Sequence, residues 1–210
     1  MDWKNLLTAE NITLFGTVIG SVLATAYLSV KTFLKKIDRE KKTDNDVPKK
    51  VEKQSAVDSI INKKMEEIKE LLNADRVQIY EFHNGVHYAN GRSALKTTCT
   101  YEVCRSGIVS YLRDLENIPL SCIPHFTEQL LNDGKMAVKD IEDIKDTMPS
   151  TYELKTRQGV KSYYDVVLRN QKSEPIGFVG IQFCENKYNI DEEEVMRFVG
   201  FVEEALSSIL

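Results

Sequence analysis

Hydrophobic and polar positions divide this chain into stretches of different period. Asn11 to Val30 carries no charged residue; Glu10 precedes it, and the basic cluster Lys31, Lys35, Lys36, Arg39, Lys41 and Lys42 follows. About 20 helical residues rise roughly 30 Å, the thickness of a bilayer's hydrocarbon core. The pattern predicts a transmembrane helix over 11–34, with 1–10 as a short extracytoplasmic head and 35–50 as a charged linker. A cleaved signal peptide carries its charge ahead of a shorter apolar core, the reverse of the order here. From Val51 to Asn73 the period changes: Val57, Ile61, Met65, Ile68 and Leu72 recur at steps of three and four, which predicts an amphipathic helix. Asp75 to Phe82 then alternates as a strand. Val77, Ile79 and Phe82 are assigned to one face, Gln78 and Tyr80 to the other, and Asn84-Gly85 supplies a turn directly afterwards.

Leu95 to Cys104 reads as a second strand and Lys135 to Val138 as a short one, with a helix over His125 to Asn132 between them, closed by Gly134. Lys161 to Arg169 and Pro175 to Glu185 form the clearest hairpin, joined by the polar Asn170 to Glu174. Asp191 to Leu210 is an amphipathic helix with Val195, Phe198, Val199, Val202, Leu206 and Ile209 on one face, and its acidic start suits a helix N-terminus. Strands gathered between terminal helices predict an α+β domain over 51–210, an antiparallel sheet flanked by N- and C-terminal helices.

Charge fixes the expected topology. Lys31 to Lys53 holds nine Lys/Arg against five Asp/Glu, while residues 1–10 hold one Lys. Positive flanks stay on the cytoplasmic side, so the expectation is a single-pass protein of the cell inner membrane, N-terminus out and C-terminal domain cytoplasmic. Residues 54–210 carry 18 Lys/Arg against 25 Asp/Glu, a balance that excludes nucleic acid as a partner. The basic juxtamembrane segment suits membrane lipid instead. Gly16, Gly20 and Ala24 recur at four-residue spacing beside Thr13, Thr17, Ser21, Thr25 and Ser29, a pattern that lets membrane helices pack closely. Small and hydroxyl residues are also common in membrane helices that pack against nothing. A second association is expected where the Val57 to Leu72 stripe outruns the domain's core and pairs as a short coiled coil, giving a homodimer.

Candidate chemistry is sparse. Cys99, Cys104, Cys122 and Cys184 show no paired metal-ligand spacing and read as small buried hydrophobes. His83 and His87 flank Asn84-Gly85, which argues against the helix that would bring them to one metal, so His83 is read as closing its strand or touching a ligand. Cys122 and His125 lack a third orienting group and any nucleophile motif. No phosphate loop, Ser-His-Asp signature or H-E-x-x-H pattern occurs. The expectation is a non-enzymatic protein without a metal site.

The run A-D-R-V-x-I-Y-x-F-H-N-G at Ala74 to Gly85, the late P-I-G-F-V-G-I-x-F at Pro175 to Phe183 and the D-E-E-E opening of the last helix together resemble a GAF domain, over about residues 56–210. The resemblance implies a small-molecule sensor or a dimerisation module, binding without turnover. Asn186-Lys187-Tyr188 followed by Asp191-Glu192 is similar to the N-K…F…D-E signature of cyclic-nucleotide-binding members, with Tyr for Phe and a tighter spacing. A turn into an acidic helix start writes the same letters. A pocket in such a fold lies over the sheet, with Tyr101, Tyr111, Tyr152, Tyr163 and Tyr164 as candidate lining and Arg105 or Arg157 as an anion receptor. His83, Asn84, Tyr101, Arg105 and Tyr163 are the candidate ligand contacts, and no cofactor is identified. The reading is a membrane-anchored cytoplasmic GAF-like sensory or scaffolding module binding a small molecule or protein partner. The alternative is a phage holin-like lysis protein or membrane tether whose oligomerising span is regulated by the soluble domain.

Overall fold

The computed structural model describes Lys31 and residues 47–209. The head over 1–10 and the predicted span over 11–34, Lys31 apart, lie outside the described residues, as do the packing positions Gly16, Gly20 and Ala24. Among those described, no helix is long and apolar enough to cross a membrane. The chain divides into two units between Lys53 and Gln54. Of the first unit, residues 47–53 are helical and exposed, so the last four residues of the 35–50 stretch read as linker are helical, and 35–46 lie outside the described residues.

The second unit is built on one antiparallel sheet. Within this unit helix α1 covers 54–72; β1 is Arg76–His87, β2 Ser93–Cys104, β3 Ile118–Pro119, α2 Pro124–Asp133, β4 Lys135–Val138, α3 Pro149–Arg157, β5 Ser162–Arg169, β6 Pro175–Phe183 and α4 Glu192–Ile209. The strand order is β3-β2-β1-β6-β5-β4. β1 therefore pairs centrally with β6, whose sequence lies far downstream, while the β5–β6 hairpin closes through Asn170, whose side-chain oxygen accepts from the amides of Lys172 and Glu174 at 2.9 Å each.

The first hairpin turns later than the Asn84-Gly85 pair suggests. β1 runs through that pair to His87, and the turn is made at Gly91, at φ +80, with the Gly91 amide on the Tyr88 carbonyl and Arg92 N–H on Asn90. Gly85 serves a different need: a Cβ there would lie 2.6 Å from the Ala94 carbonyl oxygen. Phe82 also changes face. It stays in alternation with Tyr80 and packs with Phe178, opposite the Val77 and Ile79 side.

Each face of the sheet carries its own core. Val77, Ile79, Tyr101, Val103, Tyr164, Val166, Leu168, Val179, Ile181 and Phe183 pack under α1 and α4. The opposite face is covered by α2, α3 and the segments around them. Ile61, Met65, Ile68 and Leu72 of α1 all belong to the first core, so the predicted stripe is consumed within the domain and does not outrun it. The apolar side chains that α1 leaves exposed include Ile60 and Leu71, at 51% and 59%. Leu71 lines a 310 Å³ groove between α1 and α4 with Ile68, Phe198 and Phe201, rimmed by Lys64, Glu67, Glu194 and Arg197. If the chain dimerises through its helices, Leu71→Glu is expected to lower the light-scattering mass with the fold kept, whereas Ile61→Asp unfolds the domain. A soluble, folded Ile61→Asp variant would contradict the core assignment.

Candidate functional site

Polar residues interrupt the apolar strands on the α2/α3 face. Arg76 and Gln78 of β1, Glu102 of β2, Asp165 of β5 and Gln182 of β6 form a row of buried polar side chains across the middle of the sheet. They are held in networks, as burial of such groups requires. Gln78 Nε2 donates to Glu102 Oε1 at 2.8 Å, and Gln78 Oε1 accepts from Gln182 Nε2 at 2.6 Å and from the Tyr80 hydroxyl at 2.9 Å. Arg76 Nη1 donates to Gln182 Oε1 at 2.7 Å, and Arg76 Nη2 reaches the Val109 carbonyl at 2.7 Å. Burial pushes the Tyr80 phenol well above its usual range, which keeps it a donor.

Beyond this network a cavity of about 20 Å³ lies between sheet and helices. Its floor is Tyr80, Thr97 and Phe178, its end walls are Ile118, Ile123 and Phe126, and its roof is Thr151, Leu154, Lys155 and Gln158. The roof residues recur at three- and four-residue steps, so one face of α3 and its C-terminal cap presents them together. Tyr80 and Phe178 stack at 4.4 Å between ring centroids, with Phe126 edge-on to Phe178 at 5.4 Å. Lys155 Nζ lies 3.1 Å from Asp165 Oδ2 and 4.4 Å from the centroid of the Tyr163 ring. Asp165 fits because it faces Gly180 across the β5–β6 register: a Cβ at Gly180 would lie 2.9 Å from Asp165 Oδ1. Burial pushes the Asp165 carboxyl up, and the Lys155 ammonium offsets part of that rise. On this face two buried oxygens of the described residues make no hydrogen bond, Asp165 Oδ1 and Gln158 Oε1, although Gln158 Nε2 donates to the Leu154 carbonyl at 3.0 Å.

Of the candidate contacts read from sequence, Tyr163 alone comes to this region, fully buried beneath Lys155, its hydroxyl on Met136 Sδ at 3.2 Å. Tyr101 sits on the opposite face, where alternation along β2 turns it toward α1, and its hydroxyl donates to Asp58. Tyr164 is on that same face for the same reason. Arg105 is occupied by structure: its Nε pairs with Asp75 Oδ1 at 2.9 Å and its Nη2 with Glu185 at 2.8 Å. Arg157 is exposed at the end of α3, 3.8 Å from Glu153. Tyr111 and Tyr152 bond the Arg157 carbonyl and Glu142. His83 lies within β1 rather than closing it, its Nε2 2.8 Å from Thr98 Oγ1, and Asn84 beside it is exposed. Neither residue lines the cavity.

The cyclic-nucleotide-like letters have a local explanation. Asn186 donates from Nδ2 to the Asn73 carbonyl at 2.9 Å, and Asp191 Oδ1 accepts from the Glu193 and Glu194 amides as an N-terminal cap of α4. Among the described residues no group of three or more His, Cys, Asp and Glu side chains is placed to hold a metal. Cys122 and His125 are both exposed. Burial pushes the Cys99, Cys104 and Cys184 thiols up, which keeps them protonated.

The roof residues Lys155, Gln158 and Thr151, and Asp165 beneath them, were not singled out from sequence. One signal was available: Asp165 is the only charge between Tyr163 and Leu168, in a strand buried from Ser162 to Leu168.

No family model matches the chain, and no curated protein does. Solved structures of GAF domains do match. A far-red cyanobacteriochrome photoreceptor aligns with a TM-score of 0.56 at 17% identity, covering 81% of this chain and 97% of that one. The phycocyanobilin-bound GAF domain of a cyanobacterial phytochrome aligns with a TM-score of 0.54 at 22% identity, covering 73% and 85%. The PixJ GAF domain of Thermosynechococcus elongatus, in its blue-light absorbing form, gives 0.54 at 16%, covering 75% and 86%. The fold of this chain is GAF-like.

Proposed function

We propose that this chain is a non-enzymatic, membrane-anchored sensory module whose GAF-like domain binds a small molecule between its sheet and α3. The observation that carries the reading is the cavity bordered by buried polar residues with capacity to spare, above all Gln158, which lines it and whose Oε1 has no partner. An unpaired buried carbonyl costs about 1–3 kcal/mol, a strain that a bound ligand relieves. The solved neighbours include a phycocyanobilin-bound domain. A linear tetrapyrrole does not fit here: pockets for drug-sized ligands run to about 300–1,000 Å³, against about 20 Å³. The ligand is therefore much smaller than a bilin, or enters by lifting the α3 roof. Anchoring rests on the uncharged Asn11 to Val30 run and its basic flank.

The full chain is expected to remain with membranes after salt and alkaline washes and, once extracted in mild detergent, to show a bound small molecule by native mass spectrometry. Thr151→Leu, which adds carbons to the roof of a cavity this small, is expected to remove that mass. A chain with no retained small molecule in any preparation, and no response to Thr151→Leu, would leave the module as a scaffold only.

A further inference from the structure

We infer that the cavity selects a small neutral amide or lactam, a molecule presenting an N–H donor beside a carbonyl acceptor on an apolar body, held by Gln158 and Lys155; this rests on the small-molecule reading above.

The polar valences around the cavity are few and unlike one another. Gln158 is buried; one of its two amide N–H donors is on the Leu154 carbonyl at 3.0 Å, while its Oε1 makes no hydrogen bond and requires a donor. Lys155 is buried one helical turn away and has three donors. One is on Asp165 Oδ2 at 3.1 Å, and the ammonium also faces the Tyr163 ring at 4.4 Å, which leaves donor capacity for an acceptor in the cavity it borders. Positions three apart on a helix place their side chains as neighbours. The pair thus offers one acceptor and one donor side by side, the complement of an N–H next to a C=O.

Charge decides between a carbonyl and a carboxylate as the ligand's acceptor. Lys155 is already neutralised by Asp165, and both are buried. A carboxylate would place two negative groups against one ammonium in a desolvated site, at a steep cost. A neutral carbonyl leaves the balance unchanged. Beside Tyr80, Thr97 and Thr151, the remaining lining is Ile118, Ile123, Phe126, Leu154 and Phe178, which suits an apolar body. At about 20 Å³ the closed cavity holds about one water, so a ligand of this class enters by lifting the α3 roof and then takes both contacts.

Four probes separate the possibilities on the full chain in detergent: 2-pyrrolidinone, γ-butyrolactone, N-methyl-2-pyrrolidinone and butyrate, titrated at millimolar concentration by ligand-observed NMR. The lactam is expected to bind about tenfold more tightly than the lactone and the N-methyl lactam, which lack the N–H that Gln158 Oε1 requires. Butyrate is expected to bind more weakly than all three. Gln158→Leu should bring the lactam and lactone to equal affinity, and Asp165→Asn should raise butyrate above the lactam by freeing the charge of Lys155. Equal binding of lactam and lactone by the unaltered chain overturns the inference. So does a lactam preference that survives Gln158→Leu, and that result remains decisive if Asp165→Asn does not fold. If all four probes fail while another compound is retained and is lost in Thr151→Leu, the amide inference falls and the small-molecule reading stands. If nothing is retained, both fall, and the cavity holds water only.

Discussion

Asp75→Ala is expected to destabilise the domain by about 3–5 kcal/mol, the scale for breaking a buried, hydrogen-bonded charge pair. Asp75 is fully buried at the end of the loop between α1 and β1. Its Oδ2 accepts from the backbone amides of Cys184 and Glu185 at 2.7 Å and of Asn186 at 2.8 Å. Its Oδ1 accepts from Asn186 Nδ2 at 3.0 Å and pairs with Arg105 Nε at 2.9 Å. One carboxylate therefore fixes the end of β6 to the start of β1 and the end of β2. Truncation to Ala leaves the donors of three successive amides without it, and each buried donor left unpaired costs about 1–3 kcal/mol. Against a typical total of about 5–15 kcal/mol, that loss leaves a marginal fold. The control is Arg105→Met. Arg105 is 34% exposed in its side chain, so its pairing is screened by solvent and its loss should cost about 1 kcal/mol or less. Urea unfolding of the extracted chain, followed by far-ultraviolet circular dichroism, measures both. Equal costs for the two variants would show that the amide bonds of Asp75 contribute nothing of their own.

Asp75 also marks what the sequence made legible. Periods of two and of three to four rest on burial of one face, and burial dominates here, so β4 was read at its exact bounds and β2, β5, β6 and α4 to within a few residues. The core under the terminal helices was legible from their apolar stripes, whereas the second core on the opposite face was not. What pattern could not assign was a polar residue inside a strand. Arg76, Gln78, Asp165 and Gln182 have the alternation of surface positions, yet they lie buried because α2, α3 and their connections cover that face. The segments around Ile118–Pro119 and Ile141–Ile144 that help build this cover are too short to have a period. The same blindness explains why most of the sequence candidates lie away from the cavity. Tyr101 and Arg105 are the chemically conspicuous residues of their region, but alternation turns the first to the α1 face, and Asp75 occupies the second. Lys155 reads along the chain as an ordinary charge in a short helix, and only Asp165 beneath it makes its burial intelligible.

Arg76→Met is expected to cost about 3–5 kcal/mol alone and distinctly less when combined with Glu102→Gln. Both side chains are 1% exposed, and Arg76 Nε lies 3.4 Å from Glu102 Oε1. The two residues divide the task of holding the 105–112 segment onto the sheet. Glu102 accepts from the Ser110 hydroxyl and from the amides of Tyr111 at 3.0 Å and Leu112 at 3.2 Å, while Arg76 Nη2 grips the Val109 carbonyl at 2.7 Å. Arg76 Nη2 also reaches the Gln158 carbonyl at 3.5 Å, a long contact to the end of the cavity roof. Removing Arg76 leaves the Glu102 carboxylate buried without its counter-charge, and most of the penalty is that stranded charge. Neutralising Glu102 in the same chain removes the stranded charge, so the two changes should couple by about 1–3 kcal/mol in a double-mutant cycle. The segment itself should still loosen in the double variant, because the contacts to Val109 and Gln158 are gone. Hydrogen exchange of the Tyr111 and Leu112 amides reads that loosening apart from global stability. Strict additivity of the two changes would mean that the pair is no more than two independent anchors. Coupling accompanied by faster exchange at Tyr111 and Leu112 would make it one electrostatic clamp, closing the sheet at the end of the cavity roof.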